Sequence, residues 1–394
     1  MIRTSQLSQG MENRRMNRLH LSLSAAVLAA AASASFAADG DCRVIVGFKG
    51  DADASLCADR GMDVEDAHDH VAVGRISARN ISKLRADPSV AYVEEDGIVE
   101  ASDGNGGDRA DASGKSSPAS TPTQPAQAVQ WGVSKVWGAS QPAVTGAGVK
   151  VAIIDTGLSL THPDLKANIK GGINYVRAGQ KPEDDNGHGS HCGGIVAAAD
   201  NLIGVVGVAP DASLFAVKVL DSRGSGWLSD VAKGIDWART NHMNVASMSL
   251  GASSGATTLQ TACDSAAAAG VLVVAAAGNS GPGAISYPAY YDSVVSVGAT
   301  DSADAIAYFS NTNADVEISA PGVSIFSTYK SGGYATLSGT SMATPHAAGL
   351  AALLLSNGST AATIRADLDA HVREAGAAGR DPVFGFGIAY FPAP

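Results

Sequence analysis

Asp155, His188 and Ser341 are the residues of this chain whose types and settings could break a covalent bond. Asp155 closes the apolar run in Val151-Ala-Ile-Ile-Asp-Thr-Gly157. His188 lies in Asn186-Gly-His-Gly-Ser-His191, and Ser341 in Gly339-Thr-Ser-Met-Ala-Thr-Pro-His346. A serine hydroxyl is a poor nucleophile until a base takes its proton. Histidine is that base, and a carboxylate fixes the imidazole tautomer and stabilises the imidazolium. The trio predicts nucleophilic acyl transfer. Glycines on both sides of His188 permit a sharp entry to a helix. Ser341 opens an apolar helix pattern, where unpaired amides favour developing negative charge. His191, by contrast, reads as a structural histidine.

The elements that must position these groups are legible from Trp131 onward. Val149–Ile154, Leu214–Val219, Val245–Leu250, Val271–Ala276 and Val294–Val297 read as buried strands. Helix patterns fall at His191–Ala199, Ser229–Thr240, Thr257–Ala269 and Ser341–Leu355. Such alternation predicts an α/β fold, a parallel sheet covered by helices on both faces. Ligands of such sheets bind at the carboxyl ends of the strands. Asp155, the Ser249-Leu250-Gly251 segment and Asn279 all follow predicted strand ends. Further upstream, strand runs at Arg43–Phe48, Val71–Ile76 and Val90–Glu94 alternate with helix patterns at Asp51–Asp59 and Ser77–Ala86. They predict a small ferredoxin-like α+β unit. Residues 103–125 are rich in Gly, Ser, Ala, Asp and Pro without periodicity, which predicts a flexible linker and a domain boundary.

The order Asp, His, Ser is that of subtilisin among the unrelated folds that carry the trio. On these motifs the chain resembles the subtilisin-like serine proteases from about Gln127 to its C-terminus. A second resemblance, carried by Asp87-Pro-Ser-Val-Ala-Tyr-Val-Glu-Glu-Asp96, joins about Cys42–Glu100 to the subtilisin pro-peptide. The resemblance implies a subtilisin-like parallel sheet flanked by helices, preceded by an inhibitory pro-domain over residues 38–102. It implies that the Asn279 amide and the Ser341 backbone N–H form an oxyanion hole. Gly224-Ser225-Gly226 and Ser249-Leu250-Gly251 become the edges that sandwich an extended peptide, and Ala276, Gly278 and Ser286 line the primary pocket. None of these carries a charge, so apolar or broad preference follows. A structural calcium site is implied at the Gln127 and Asn201 side chains, the Asp164 carboxylate and the carbonyls of Ala199, Ile203 and Val205. Hard cations take such oxygen sets.

The pro-domain is expected to inhibit its own enzyme, its tail lying in the cleft as a product-like strand. A first cut near Ala101–Ser102 leaves a start at Ser102 or Asp103, with later trimming of the linker. The alternative, Pro125–Ala126, puts proline in the primary pocket, where its fixed φ fits poorly.

Composition bounds the rest. A net charge of −11 argues against a nucleic-acid partner. Between Asp39 and Glu100, 14 Asp/Glu stand against 7 Lys/Arg, which reads as a solvated acidic surface. Arg14, Arg15 and Arg18, an apolar run over Leu21–Ala34 and Ser35-Phe36-Ala37 form the pattern of an export signal, residues 1–37. The protein is therefore expected outside the cytoplasm, extracellular or periplasmic, monomeric and free of membrane after cleavage. Met11 and Met16 are alternative starts. Export permits a disulfide, and Cys42 and Cys57 are the candidates; Cys192 and Cys263 read as small buried hydrophobes. Three other functions fit less well. A non-catalytic binding protein would not need the intact Asp155, His188, Ser341 and Asn279. A dibasic processing protease would need acidic residues near Ser249–Gly251 and Ala276–Gly278. An esterase with this trio would carry a G-x-S-x-G elbow at its nucleophile, and Ser341 stands in Gly339-Thr-Ser-Met-Ala343 instead. The expected function is a calcium-stabilised serine endopeptidase acting on protein or peptide substrates.

Overall fold

The computed structural model describes residues 40–102 and 124–392. The export signal and nearly all of the expected linker lie outside the described residues. The chain divides into two compact units, residues 1–95 and 96–394.

In the first unit, β1 (Asp41–Phe48), α1 (Ala54–Asp59), β2 (Met62–His68), β3 (Val71–Ser77), α2 (Ala78–Arg85) and β4 (Val90–Glu95) alternate along the chain. The antiparallel sheet has the order β2-β3-β1-β4, which is the expected ferredoxin-like topology. Side chains alternate across β1, so Val44, Val46 and Phe48 share one face and join Cys57, Ile81 and Leu84 in a small core. The first helix is shorter than its sequence pattern because Asp53 stops it. The Asp53 carboxylate accepts the Leu56 amide at 2.8 Å, a helix N-cap. The candidate disulfide is absent: Cys42 and Cys57 are both free thiols. Cys57 is on the buried side of α1, where burial and the Asp53 charge push its thiol up to about 11. Cys42 sits at the open end of β1 with Sγ facing the Gly40 carbonyl. Strand β2 was not apparent in the sequence, since its acidic residues hide the alternation.

The second unit begins with β5 (Ile98–Ala101) and is built on a sheet of nine strands among the described residues. In chain order these are β6 (Lys150–Asp155), β7 (Ile169–Asn174), β8 (Ser213–Lys218), β10 (Val245–Met248), β12 (Leu272–Ala276), β13 (Val294–Thr300), β14 (Val316–Pro321), β17 (Val372–Arg373) and β18 (Ile388–Ala389). Their spatial order is β17-β18-β14-β13-β12-β10-β6-β8-β7, parallel throughout except β17 against β18. The five strands read from the sequence are its centre. The strands β9 (Ser225–Trp227), β11 (Leu250–Gly251), β15 (Ile325–Thr328) and β16 (Tyr334–Leu337) lie in smaller sheets.

Helices cover both faces. On one side lie α3 (Trp131–Trp137), α4 (His188–Ala197), α7 (Thr340–Ser356) and α8 (Ile364–Ala370). On the other lie α5 (Leu228–Thr240) and α6 (Thr257–Ala268). Val151 and Ile153 of β6 point into the core shared with α4 and α7. Ile154, one residue on, faces α5, where a Cβ added at Gly234 would lie 3.2 Å from it. Apolar residues on both faces are what a doubly covered parallel strand requires.

Helix α7 passes the segment between α4 and β8 so closely that glycine is needed at position 349. A Cβ there would stand 2.6 Å from the Val208 Cβ. Gly349→Ala is expected to destabilise the second unit by about 1–3 kcal/mol through overpacking. Thermal unfolding checks this; an unchanged midpoint counts against the close packing.

Candidate active site

Asp155 ends β6, and its side chain is fully buried. A buried carboxylate must be filled with donors. Here His188 Nδ1 lies 2.8 and 2.9 Å from the two carboxylate oxygens, and the Thr156 amide donates to Oδ1 at 2.6 Å. Helix α4 starts three residues earlier than its sequence pattern, so His188 is its first residue. Gly187, at φ 116°, makes the turn into the helix.

Ser341 is the second residue of α7 and is also buried. Proline at 345 has no N–H, so the Ser341 carbonyl loses its intrahelical partner. That carbonyl accepts the Ser249 hydroxyl at 2.8 Å and the Cys192 thiol at 3.5 Å instead. The proline thereby ties the start of α7 to the end of β10 and to α4. Asn279 is tied to the same turn: its Oδ1 accepts the Thr340 amide at 2.9 Å and the Thr340 hydroxyl at 3.0 Å.

The segment Ile98–Ser102 occupies this site as an extended strand. It pairs antiparallel on one side with β9, Val99 opposite Gly226 and Glu100 opposite Ser225. On the other side it pairs antiparallel with β11, Glu100 opposite Gly251 and Ala101 opposite Leu250. The Ala101 amide donates to the Gly224 carbonyl at 2.9 Å, and the Ser102 amide to the Ser249 carbonyl at 3.1 Å. The strand ends with the Ser102 carbonyl oxygen held by Asn279 Nδ2 at 2.6 Å and by Ser341 Oγ at 2.5 Å. Ser341 Oγ is also 3.1 Å from the Ser249 carbonyl. All six residues expected at the two edges, Gly224, Ser225, Gly226, Ser249, Leu250 and Gly251, thus flank one extended segment. Val99 is fully buried, whereas Glu100 points outward. Upstream, the Asp96 carboxylate accepts the amide and the hydroxyl of Ser229 at 2.9 and 2.8 Å, in the first turn of α5.

Gly251, Gly278 and Ser286 stand together beyond the Ser102 side chain. A Cβ added at Gly251 would lie 2.2 Å from Ser286 Oγ and 3.5 Å from Ser102 Oγ; one at Gly278 would lie 3.1 Å from Ser286 Cβ. Ala276, the last residue of β12, is buried two residues before Gly278. A shallow depression at Ser286 is lined also by Ala277, Ala289, Tyr290 and Ser296. Asn313 and Asp315 complete its lining. Asp315 is a carboxylate that no pattern in the sequence connects with this wall.

The other histidines nearby are neutral. His191 Nε2 faces the carbonyls of Ile325 and Ala335 at 3.0 and 3.1 Å, and burial pushes its imidazole down to about 3. Burial takes His346 down to about 4.

The loop 199–205 brings together the residues of the expected calcium set. Gln127 Oε1 accepts the amides of Asn201 and Leu202 at 2.7 and 3.0 Å. Asp164 is fully buried, yet among the described residues only neutral groups meet its carboxylate. These are Asn201 Nδ2 and the Val205 amide, both at 2.9 Å, and the Tyr334 hydroxyl at 3.3 Å. Burial pushes Asp164 up to about 6. Gly204, at φ +60°, keeps the space before it open, since a Cβ there would lie 2.4 Å from Asp164 Oδ2. A buried carboxylate lacking a cationic partner, amide oxygens and the carbonyls of Ala199, Ile203 and Val205 make an all-oxygen set that fits calcium. Asn201 directs its nitrogen at Asp164, so this amide must turn to present oxygen to a cation.

Comparison with known proteins gives the same direction. The pattern of the subtilase family matches residues 146–387. M-protease of Shouchella clausii (strain KSM-K16) is 45% identical over 307 residues, covering 76% of this chain and 74% of that protein. Subtilisin Savinase of Lederbergia lenta is 54% identical over 231 residues, 58% of this chain and 85% of its own. Subtilisin E of Bacillus subtilis (strain 168) is 41% identical over 333 residues, 80% of each.

Proposed function

The chain belongs to the subtilase family and is a serine endopeptidase, and from that premise we propose that it is an exported, calcium-stabilised enzyme that cuts its own precursor between Ser102 and Asp103. One observation carries this reading: the Ser102 carbonyl lies between Ser341 Oγ and Asn279 Nδ2, at 2.5 and 2.6 Å. That oxygen is where a substrate carbonyl must sit. His188 takes the Ser341 proton as Oγ attacks the carbonyl carbon, while Asp155 holds the imidazole by Nδ1 and stabilises its cation. The charge that develops on the oxygen faces the Asn279 amide. The intermediate collapses with proton return from His188 to the leaving amine, giving an acyl-enzyme on Ser341. Water then enters by the reverse sequence.

Strand pairing on both edges supports recognition of extended peptides through their backbone, with side chains selected at alternate positions. Residues 38–102 act as the inhibitory pro-domain, and the Val99–Ser102 tail is the first substrate and then the bound product. The cut falls one residue beyond Ala101–Ser102, and residues 103–125 are trimmed later. Gln127, Asp164 and Asn201, with the carbonyls of Ala199, Ile203 and Val205, would hold calcium, which supplies the positive charge that the buried Asp164 otherwise lacks. The subtilase family is generally calcium-binding. The export pattern at residues 1–37 supports secretion. Among the described residues no helix is long and apolar enough to cross a membrane.

Wild-type precursor should yield a first N-terminus at Asp103, and Ser341→Ala should remain uncut and inactive towards peptides. A serine-directed acylating reagent should label Ser341 alone. N-terminal sequencing through the course of maturation decides: a sole start at Ala126 from the earliest time overturns the assigned cut, and turnover by Ser341→Ala overturns the trio.

Calcium should raise the thermal midpoint, because a ligand of the folded state alone stabilises it by mass action. Asn201→Ala should blunt the response. A midpoint indifferent to calcium in chelator-stripped protein would remove the metal site.

Peptides with large apolar residues before the scissile bond should be cut faster than those with Lys or Arg. Branched aliphatic residues should be favoured three positions further upstream, where Val99 is buried. Profiling on a peptide library tests both, and a strong basic preference would instead implicate Asp315 in the pocket.

A further inference from the structure

We infer that Asp184 is a positioning residue, whose carboxylate fixes the distance between the strand that carries Asp155 and the helix that carries His188. This rests on the reading of Asp155, His188 and Ser341 as the reacting trio, and adds a residue that touches neither substrate nor the reacting atoms.

The Asp184 side chain is buried at 4% exposure and is filled with donors from both elements. Its Oδ1 accepts the Thr156 hydroxyl at 2.9 Å and the amides of Asn186 and Gly187 at 3.0 and 2.8 Å. Its Oδ2 accepts the amide and the hydroxyl of Ser190 at 2.9 and 2.6 Å. Thr156 directly follows Asp155, and Asn186, Gly187 and Ser190 bracket His188. Each hydroxyl is itself oriented by a backbone donor from another segment. Thr156 Oγ1 accepts the Gly189 amide at 2.9 Å, and Ser190 Oγ accepts the Ser159 amide at 2.8 Å. These two hydroxyls have spent their protons on Asp184, so both arrangements require an acceptor-only group at 184. The Thr156 carbonyl is pinned from a third direction by the buried Lys218 ammonium at 2.6 Å. Thr156 is thereby held at three points, and its own amide is the one that donates to Asp155.

An ordinary helix cap would accept amides of the first turn and stop there. Asp184 does more, because two of its five donors are hydroxyls and one of these belongs to the β6 end rather than to α4. The approach it sets is tight. A Cβ added at Gly189 would lie 2.2 Å from the Gly157 carbonyl oxygen and 3.1 Å from Asp155 Oδ1. Asparagine at 184 keeps the size but turns an NH₂ towards donors, so the two elements must part. Misplacing a reacting group by about 1 Å can cost on the order of 100-fold in rate.

The test compares kcat and KM on a chromogenic peptide for wild type, Asp184→Asn, Thr156→Val, Thr156→Ser and Ser341→Ala. Each preparation is matured where needed with immobilised wild-type enzyme. Rates are taken per active site titrated with the acylating reagent, so that a smaller folded fraction cannot imitate a slower enzyme. Asp184→Asn is expected to lower kcat by about 10- to 100-fold with KM within about threefold. Thr156→Val should do the same, and Thr156→Ser, which keeps the hydroxyl, should restore most of the loss. If Asp184→Asn does not fold, the Thr156 pair decides alone. Wild-type kcat in both Asp184→Asn and Thr156→Val, with Ser341→Ala dead, overturns this inference and leaves the trio standing. Turnover by Ser341→Ala removes the trio, and this inference with it.

Discussion

The contact on which the rest of the structure depends is that between Asp155 and His188. A carboxylate removed from water must be paired or saturated with hydrogen bonds. Asp155 meets that demand with an imidazole and one backbone amide. Meeting it fixes where β6 ends, where α4 begins and how the turn between Asp155 and Gly157 folds. The parallel sheet supplies the floor: its strands end on one edge, so Asp155, Ser249 and the loop carrying Asn279 arrive together although they are far apart in sequence. Helix α7 then approaches from beneath with Ser341 at its tip.

Much of this was legible in the residues. Five apolar runs located the central strands, and the three glycine-marked motifs located the groups that the fold assembles. The failures have physical reasons. Strand β5 is four residues long and finds both partners in β9 and β11, so no local pattern reveals it. Strand β7 contains two glycines and is half exposed, which erases the alternation a strand normally shows. The apolar pattern of α4 shows only from His191, because Gly187 and Gly189 carry no side chains to extend it. The acceptors that make a helix possible there belong to Asp184, Asn186 and Thr156, whose geometry only the fold provides. Asp315 is a single acidic residue in a loop and Asp184 the middle of the run Glu183-Asp184-Asp185, and nothing in their neighbours distinguishes them from surface carboxylates. Cys42 and Cys57 show the converse, where export chemistry permits a bridge and packing makes none.

The two edge strands of the cleft divide their labour. Backbone pairing with β9 and β11 holds Ile98–Ser102 in one register through main-chain groups that every sequence carries. Side-chain selection is left to the few positions that point inward, such as that of Val99. Glycines at 226, 251 and 278 keep the walls thin enough for this. A methyl group would collide with the Val219 carbonyl at 226, the Ser286 hydroxyl at 251 and the Asn311 amide at 278.

Helix α7 carries a consequence for how such a molecule ages. Every residue from Thr340 to Leu354 is buried, so Ser341 is attached to an element with no solvent-facing side along that stretch. Segments of this kind open only when the whole cooperative unit opens. Ser341 therefore has no local frayed state in which it is slightly displaced. Heat or denaturant should sort a population into fully competent molecules and unfolded ones, with few of intermediate activity between them. Because unfolded copies are substrates for the intact ones, the loss becomes irreversible through digestion, and the more concentrated the sample, the faster it erodes.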